Sequence, residues 1–208
     1  MTTSQVSLCN AALIKLGEKT IMTLADNNDR ASACAERYDN VLGQVLRAHP
    51  WNFAIARQTL AQLSTAPDFE FSYEYQLPTD CIRVLRINPE DGLSPGYVYG
   101  WGSLSDAPLT GKPIYRLEGR VIVTDLESID LIYVKRETDP TVYDEGFIEA
   151  FACTLAAEVC MRLTSNRELK KEMLQEYIMA IRVAKSQNAT EDTAMPLYSD
   201  DFITFSRR

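Results

Sequence analysis

The spacing of apolar residues changes period twice along this chain, and that double change restricts the fold more than any other feature. Before Pro50 the apolar positions recur every three or four residues: Val6, Cys9, Leu13 and Leu16 form one stripe, and Ala31, Cys34, Tyr38, Val41 and Val45 a second. Both read as amphipathic helices. Ser4 is placed to cap the first and Gly17 to end it, while Asp26-Asn27-Asn28-Asp29 offers caps to the second. Pro50 stops the second helix and pushes His49 toward extended geometry. From residue 51 to 139 the pattern shortens to β-compatible runs separated by Pro, Gly and Asp clusters: Ala54 to Leu63, Tyr73 to Leu77, Cys81 to Ile87, Tyr115 to Leu117, Val121 to Thr124 and Ile129 to Val134. After Asp139-Pro140 helical spacing returns, with Asp144 as cap and Phe147, Phe151, Leu155, Val159 and Leu163 along one face. Ser165-Asn166-Arg167-Glu168 reads as a capping box that opens a fourth helix carrying Leu169, Met173, Tyr177, Ala180 and Ala184. Periodicity is lost from Ala189 onward.

This order predicts an α+β fold in which two N-terminal and two C-terminal helices form a four-helix bundle, residues 1–50 and 140–188, with the first and last helices meeting. The β region, residues 51–139, is an insertion into that bundle. Its strands follow one another without helices between them, so the sheet is expected to be antiparallel, with Glu118-Gly119 turning the hairpin from Tyr115 to Val123. The stretch from Pro89 to Pro113 is rich in Gly, Pro and Ser and carries Tyr97, Tyr99 and Trp101. Connections beyond about 15 residues without structure of their own are usually functional or mobile. Residues 189–208 form an extended C-terminal arm in this reading. Its six large apolar residues, Met195, Leu197, Tyr198, Phe202, Ile203 and Phe205, need a surface to bury against, on the parent domain or on a neighbouring protein.

Charge and motif content narrow the function. The formal net charge is −8, and the segment 51–140 is the most acidic, with 8 basic against 13 acidic residues. A carboxylate surplus opposes a tight grip on nucleic acid, though it lets a duplex slide past without sticking. No run approaches the roughly 20 apolar residues of a bilayer-spanning helix. With no basic flank ahead of an apolar run at the N-terminus, a soluble protein made in the cytosol is expected. Nucleophile-elbow, phosphate-loop, dinucleotide-binding and zinc-protease motifs are missing, and Gly100-Trp101-Gly102-Ser103 lacks the Lys and helix of a phosphate cradle. The single histidine, His49, cannot build a multi-histidine metal site, and reads as a helix-end residue whose cationic ring meets the last carbonyls. Cys9, Cys34, Cys81, Cys153 and Cys160 are spread without metal-ligand spacing and read as small buried hydrophobes. No catalytic residue, metal or cofactor is therefore expected. The enzymatic alternative is a glycan hydrolase with a carboxylate pair in the β region, such as Asp91 with Asp106 or Asp125 with Glu127.

Three strings carry a resemblance: Leu8-Cys9-Asn10-Ala11-Ala12-Leu13-Ile14-Lys15-Leu16-Gly17, Ala31 to Asp39, and Leu46-Arg47-Ala48-His49-Pro50-Trp51-Asn52-Phe53-Ala54. With Tyr75 to Val84 around Leu77-Pro78 and with Leu155-Ala156-Ala157-Glu158, they make the chain resemble the tail tubular protein A family, the head-to-tail adaptors of tailed bacteriophages. His49-Pro50-Trp51-Asn52-Phe53 is the most specific element, and the matches run from about Leu8 to Ala184. The resemblance implies a structural subunit of a ring, usually dodecameric, that docks on the portal, extends the DNA channel and carries a downstream tail or nozzle protein. DNA would pass without sequence-specific binding, and no membrane anchor is implied. Such a protein belongs to the virion, at the head-tail junction, after a time in the host cytoplasm. Within that expectation the apolar residues of the arm are the portal contacts, and Tyr97, Tyr99 and Trp101 lie on the distal or intersubunit face. Trp51 and Phe53, just past the helix stop, are placed to pin the β region against the bundle.

Overall fold

The computed structural model of the chain describes residues 3–87 and 115–191. Within them the fold is α+β, with four helices and two small antiparallel sheets. The helices are α1 (Gln5–Lys15), α2 (Asp29–Ala48), α3 (Glu145–Leu163) and α4 (Arg167–Glu191). The strands are β1 (Ile55–Thr59), β2 (Tyr73–Gln76), β3 (Cys81–Ile87), β4 (Tyr115–Glu118), β5 (Val121–Thr124) and β6 (Asp130–Lys135).

Helix ends follow from local chemistry. At the start of α1 the Ser4 hydroxyl accepts from the Ser7 amide at 3.1 Å and the Ser7 hydroxyl accepts from the Ser4 amide at 2.8 Å, so two orphan donors are satisfied reciprocally. Gly17, at φ +71°, ends the helix: its amide meets the Ile14 carbonyl and the Glu18 amide the Leu13 carbonyl, both at 2.9 Å. The connector to α2 is held by Asn10, whose side chain donates to the Ile21 carbonyl at 3.0 Å and accepts from the Ile21 amide at 2.8 Å. Asn28 caps α2 through the Ala31 amide, and Asp144 caps α3 through the Phe147 amide. The start of α4 differs from the expected capping box. Ser165 sits at φ +53° outside the helix, and the Asn166 side chain accepts from the Glu168 and Leu169 amides at 3.0 and 3.1 Å. Asn tolerates the cap role as well as Ser does, and the left-handed Ser165 lets the chain reverse between α3 and α4. The helix also continues to Glu191, past the point where the apolar stripe fades.

The β region is divided into two three-stranded sheets, in the orders β1-β6-β3 and β2-β5-β4, with every pairing antiparallel. A single sheet was the simpler expectation; the register shifts in β3 between Cys81 and Arg83 and between Val84 and Arg86 bend the first sheet instead. The hairpin turn lies one residue later than expected. Glu118 still pairs with Val121, so Gly119-Arg120 makes the turn, and Gly119 takes the positive φ of +61° that a two-residue hairpin requires.

The first sheet separates two apolar clusters. Val134, with Ile82 and Leu85 beside it, faces the helices, while Leu131, Tyr133 and Val84 face Tyr75 and Ile122 of the second sheet and Leu77 just past β2. On the helical side α1, α2 and α4 all pack on α3. One apolar face was expected for α3, yet every residue from Ala150 to Ala157 is buried. The reason is its composition: alanines at 150, 152, 156 and 157 let three neighbours approach at once, and the Thr154 hydroxyl is satisfied by the Ala150 carbonyl at 2.8 Å. No described helix is long and apolar enough to cross a membrane.

Candidate functional site

The corner between α2 and β1 is a joint built from aromatic rings. Pro50 ends the helix, and a short 3-10 turn over Asn52–Ala54 swings the chain into β1. Trp51 is fully buried, and its indole N–H donates to the Val45 carbonyl at 2.9 Å, which stitches the corner to the last turn of α2. Its ring lies edge-on to His49 and to Phe147 of α3, at 5.0 and 5.2 Å between centroids. Phe53 meets Phe147 at 5.1 Å and Tyr143, just ahead of α3, at 5.3 Å. Asn52 is at the surface.

His49 is buried rather than displayed. Burial first, and then the nearby charges of Lys185 and Arg83, hold its imidazole below the usual range, so the ring is neutral near pH 7 and does not act as the cationic helix-end group expected. The unfolded chain then binds this proton more readily than the folded one. Stability is present above the ordinary histidine pKa of about 6.5 and is lost as pH falls through and below it. Melting curves from pH 7.5 to 5 are expected to show a loss that His49→Gln largely removes. The depressed carboxyls of Glu137, Asp26 and Asp139 contribute their own losses only at lower pH.

A cleft of about 840 Å³ lies where α2, β3 and the β4–β5 turn converge. Gly43 and Arg47 line it from α2, Cys81 to Val84 from β3, Leu117, Gly119 and Arg120 from the hairpin, and Leu77 and Arg136 complete it. Four arginines thus meet in a protein of net charge −8. Arg47 donates to the Ile82 carbonyl at 3.0 Å, Arg83 to the Arg47 carbonyl at 3.4 Å and Arg120 to the Pro78 carbonyl. These bonds fix the guanidiniums without neutralising them. Among the described residues, only Arg136 of the four has a carboxylate, Asp39, at 3.2 Å. The Cys81 thiol on the cleft wall is pushed up to about 11 by burial, against the pull of Arg120 and Arg47, so it is protonated and no nucleophile at neutral pH. Fixed guanidiniums over apolar walls suit an anionic partner with an apolar anchor.

Sequence reasoning missed this cleft. Three of its arginines belong to the segment with the largest acid surplus, and they are separated by 36 or more positions until the topology gathers them with Arg47, except for Arg120 and Arg136. No local motif marks them. A second depression, of about 320 Å³, is its electrical opposite, lined by Asp68, Glu70, Glu74 and Glu118 around Phe69.

One group among the described residues offers three metal-type ligands, Glu149, Cys153 and Glu176, all within 4.8 Å. Lys15 reaches into it, at 2.7 Å from Glu149 and 3.0 Å from Glu176. Partial burial works against the ammonium, but the two carboxylates outweigh it and hold the proton more tightly than usual. The cluster is an ion-paired joint of α1, α3 and α4. Cys9, Cys34, Cys153 and Cys160 are buried free thiols, and Cys81 is half-buried. Of the carboxylate pairs considered for glycan hydrolysis, Asp125 accepts from the Ser72 amide and hydroxyl at 2.9 and 3.0 Å, a turn-fixing role. Asp91 and Asp106 lie outside the described residues, as do Tyr97, Tyr99 and Trp101 and the arm residues Met195, Leu197, Tyr198, Phe202, Ile203 and Phe205. No protein-family model matches the chain, and no curated protein matches it in sequence.

Proposed function

We propose that the chain is a structural head-to-tail adaptor of a tailed bacteriophage, a subunit of a ring that docks on the portal, continues the DNA channel and supports a downstream tail or nozzle protein. The resemblance of the sequence motifs supports this reading, and so does an architecture of helices before and after an antiparallel β region. In it the four helices act as a bundle that carries the C-terminal arm, whose apolar residues contact the portal, while Tyr97, Tyr99 and Trp101 serve the distal or intersubunit face. The net charge of −8 suits a channel wall that DNA passes without binding.

The single observation that carries the proposal is the surface of α4. Leu174, Ile178, Met179 and Val183 are 42–59% exposed on the helix that leads directly into the arm. Apolar side chains displayed in such a row favour a protein partner over water, at about 25 cal/mol per Å² of area covered. Because α4 runs to Glu191, the arm is tested by ending the chain there. The truncated chain is expected to keep its helix content and melting temperature and to lose co-migration with the cognate portal on a density gradient. Undiminished docking would retire the arm as the contact, and a full-length chain that never co-migrates with portal under any assembly condition would remove the adaptor reading.

A further inference from the structure

The second sheet carries opposite charge on its two sides. In β4 and β5 directly paired residues share a face, so Leu117 with Ile122 points inward toward the core and the cleft. Arg116 with Val123, Glu118 with Val121 and Glu74 with Val123 point the other way, beneath the loop that carries Asp68, Phe69 and Glu70. On the inner side Arg47, Arg83 and Arg120 have no carboxylate partner among the described residues. On the outer side Glu70 is engaged by Arg116 at 2.9 and 3.2 Å, while Asp68, Glu74 and Glu118 make no ion pair among the described residues. Three uncompensated cations thus stand against three uncompensated anions. The anionic side also projects an apolar knob, because Phe69 is 80% exposed at the loop tip, and the cationic side is a hollow with Leu77, Val84 and Leu117 in its walls.

From this complementarity we propose that the loop Asp68-Phe69-Glu70 of one copy seats in the arginine cleft of a second copy, Phe69 against the apolar walls and the acidic rim against the guanidiniums. Knob and hollow are different surfaces on opposite sides of one sheet, so the contact is heterologous: each copy gives its knob forward and receives one behind. Repeated, that contact closes into a ring when the rotation between copies permits. The contact rests on the adaptor reading only for this closure. Nucleic acid is the less suited occupant, since the cleft is short, apolar in its walls and surrounded by a carboxylate surplus that repels phosphate.

The test uses the full-length chain with Ala66→Cys, exposed beside the knob, and Thr79→Cys, exposed between Leu77 and Cys81 of the cleft lining, and a short bismaleimide. Four native cysteines are buried and the Cys81 thiol is protonated, so the expected product is a covalent multimer whose link joins positions 66 and 79, confirmed as intercopy by mixing isotope-labelled and unlabelled protein. Cys81→Ser is expected to leave the link unchanged, and either of the two new substitutions alone is expected not to give it. Phe69→Ala, at an exposed position that leaves the fold intact, and the pair Arg83→Glu with Arg120→Glu are each expected to weaken self-association by at least about tenfold in sedimentation. Asp68→Arg with Glu74→Arg should do the same, and mixing the two charge-reversed proteins should restore assembly, because each then offers the other a matching knob and hollow. Links that map elsewhere, a chain that stays monomeric and unlinked at every accessible concentration, or a DNA duplex that shields the cysteine at position 79 from alkylation where added protein does not, would each overturn the proposal. Portal co-migration measured in parallel keeps the two readings apart: docking without the link sinks only this contact, and the link without docking sinks only the adaptor.

Discussion

Trp51→Ala is expected to destabilise the folded chain by about 3–5 kcal/mol, the range for removing a fully buried large aromatic side chain. Three losses combine. The indole leaves a cavity between α2 and α3, the Val45 carbonyl loses its donor, and the edge-on contacts to His49 and Phe147 vanish. Urea denaturation followed by far-UV and near-UV circular dichroism measures the cost. The near-UV signal is expected to weaken in the native baseline as well, because the remaining rings of the corner lose their fixed neighbour. A denaturation midpoint equal to that of the parent chain would show that the corner is not the joint between helices and sheets described above.

Phe147→Ala is expected to cost a similar amount, about 3–5 kcal/mol, from the other side of the same joint. Its ring is fully buried and meets Trp51, Phe53, Tyr143 and Phe151 at 4.5 to 6.2 Å between centroids. The two substitutions remove partners of one another, so their effects are not expected to add. The double variant should be less destabilised than the sum of the single ones, by an interaction of about 0.5–3 kcal/mol. Simple additivity in a double-mutant cycle would mean that the two rings stand in separate packing units.

How far the sequence foretold this structure depended on whether the deciding interaction was local. Helix boundaries came through because Ser4, Asn28, Asp144 and Gly17 act on amides or carbonyls within five residues of themselves. The six strands were placed by β-compatible runs for the same reason. The cap of α4 and the hairpin turn each slipped by one residue, at Asn166 and at Gly119-Arg120, where neighbouring residues have near-equal propensity and tertiary packing breaks the tie. Deeper failures concern partners distant in the chain. An alanine-rich helix can serve as a surface element or an axis, and only the arrival of α1, α2 and α4 makes α3 an axis. The division of the strands into two sheets, and the gathering of Arg47, Arg83, Arg120 and Arg136, arise from topology alone.

The chain leaves the helices through His49–Ala54 and returns through Tyr143–Phe147, and those two crossings are stacked on each other. Arg47 and Arg136 add braces, to the Ile82 carbonyl and to Asp39. A strap with one crossing could swivel; two crossings locked ring to ring cannot turn without prying the aromatics apart. A load on the sheets is thus delivered to the helices as by a stiff bracket, and tilting one half carries the other with it.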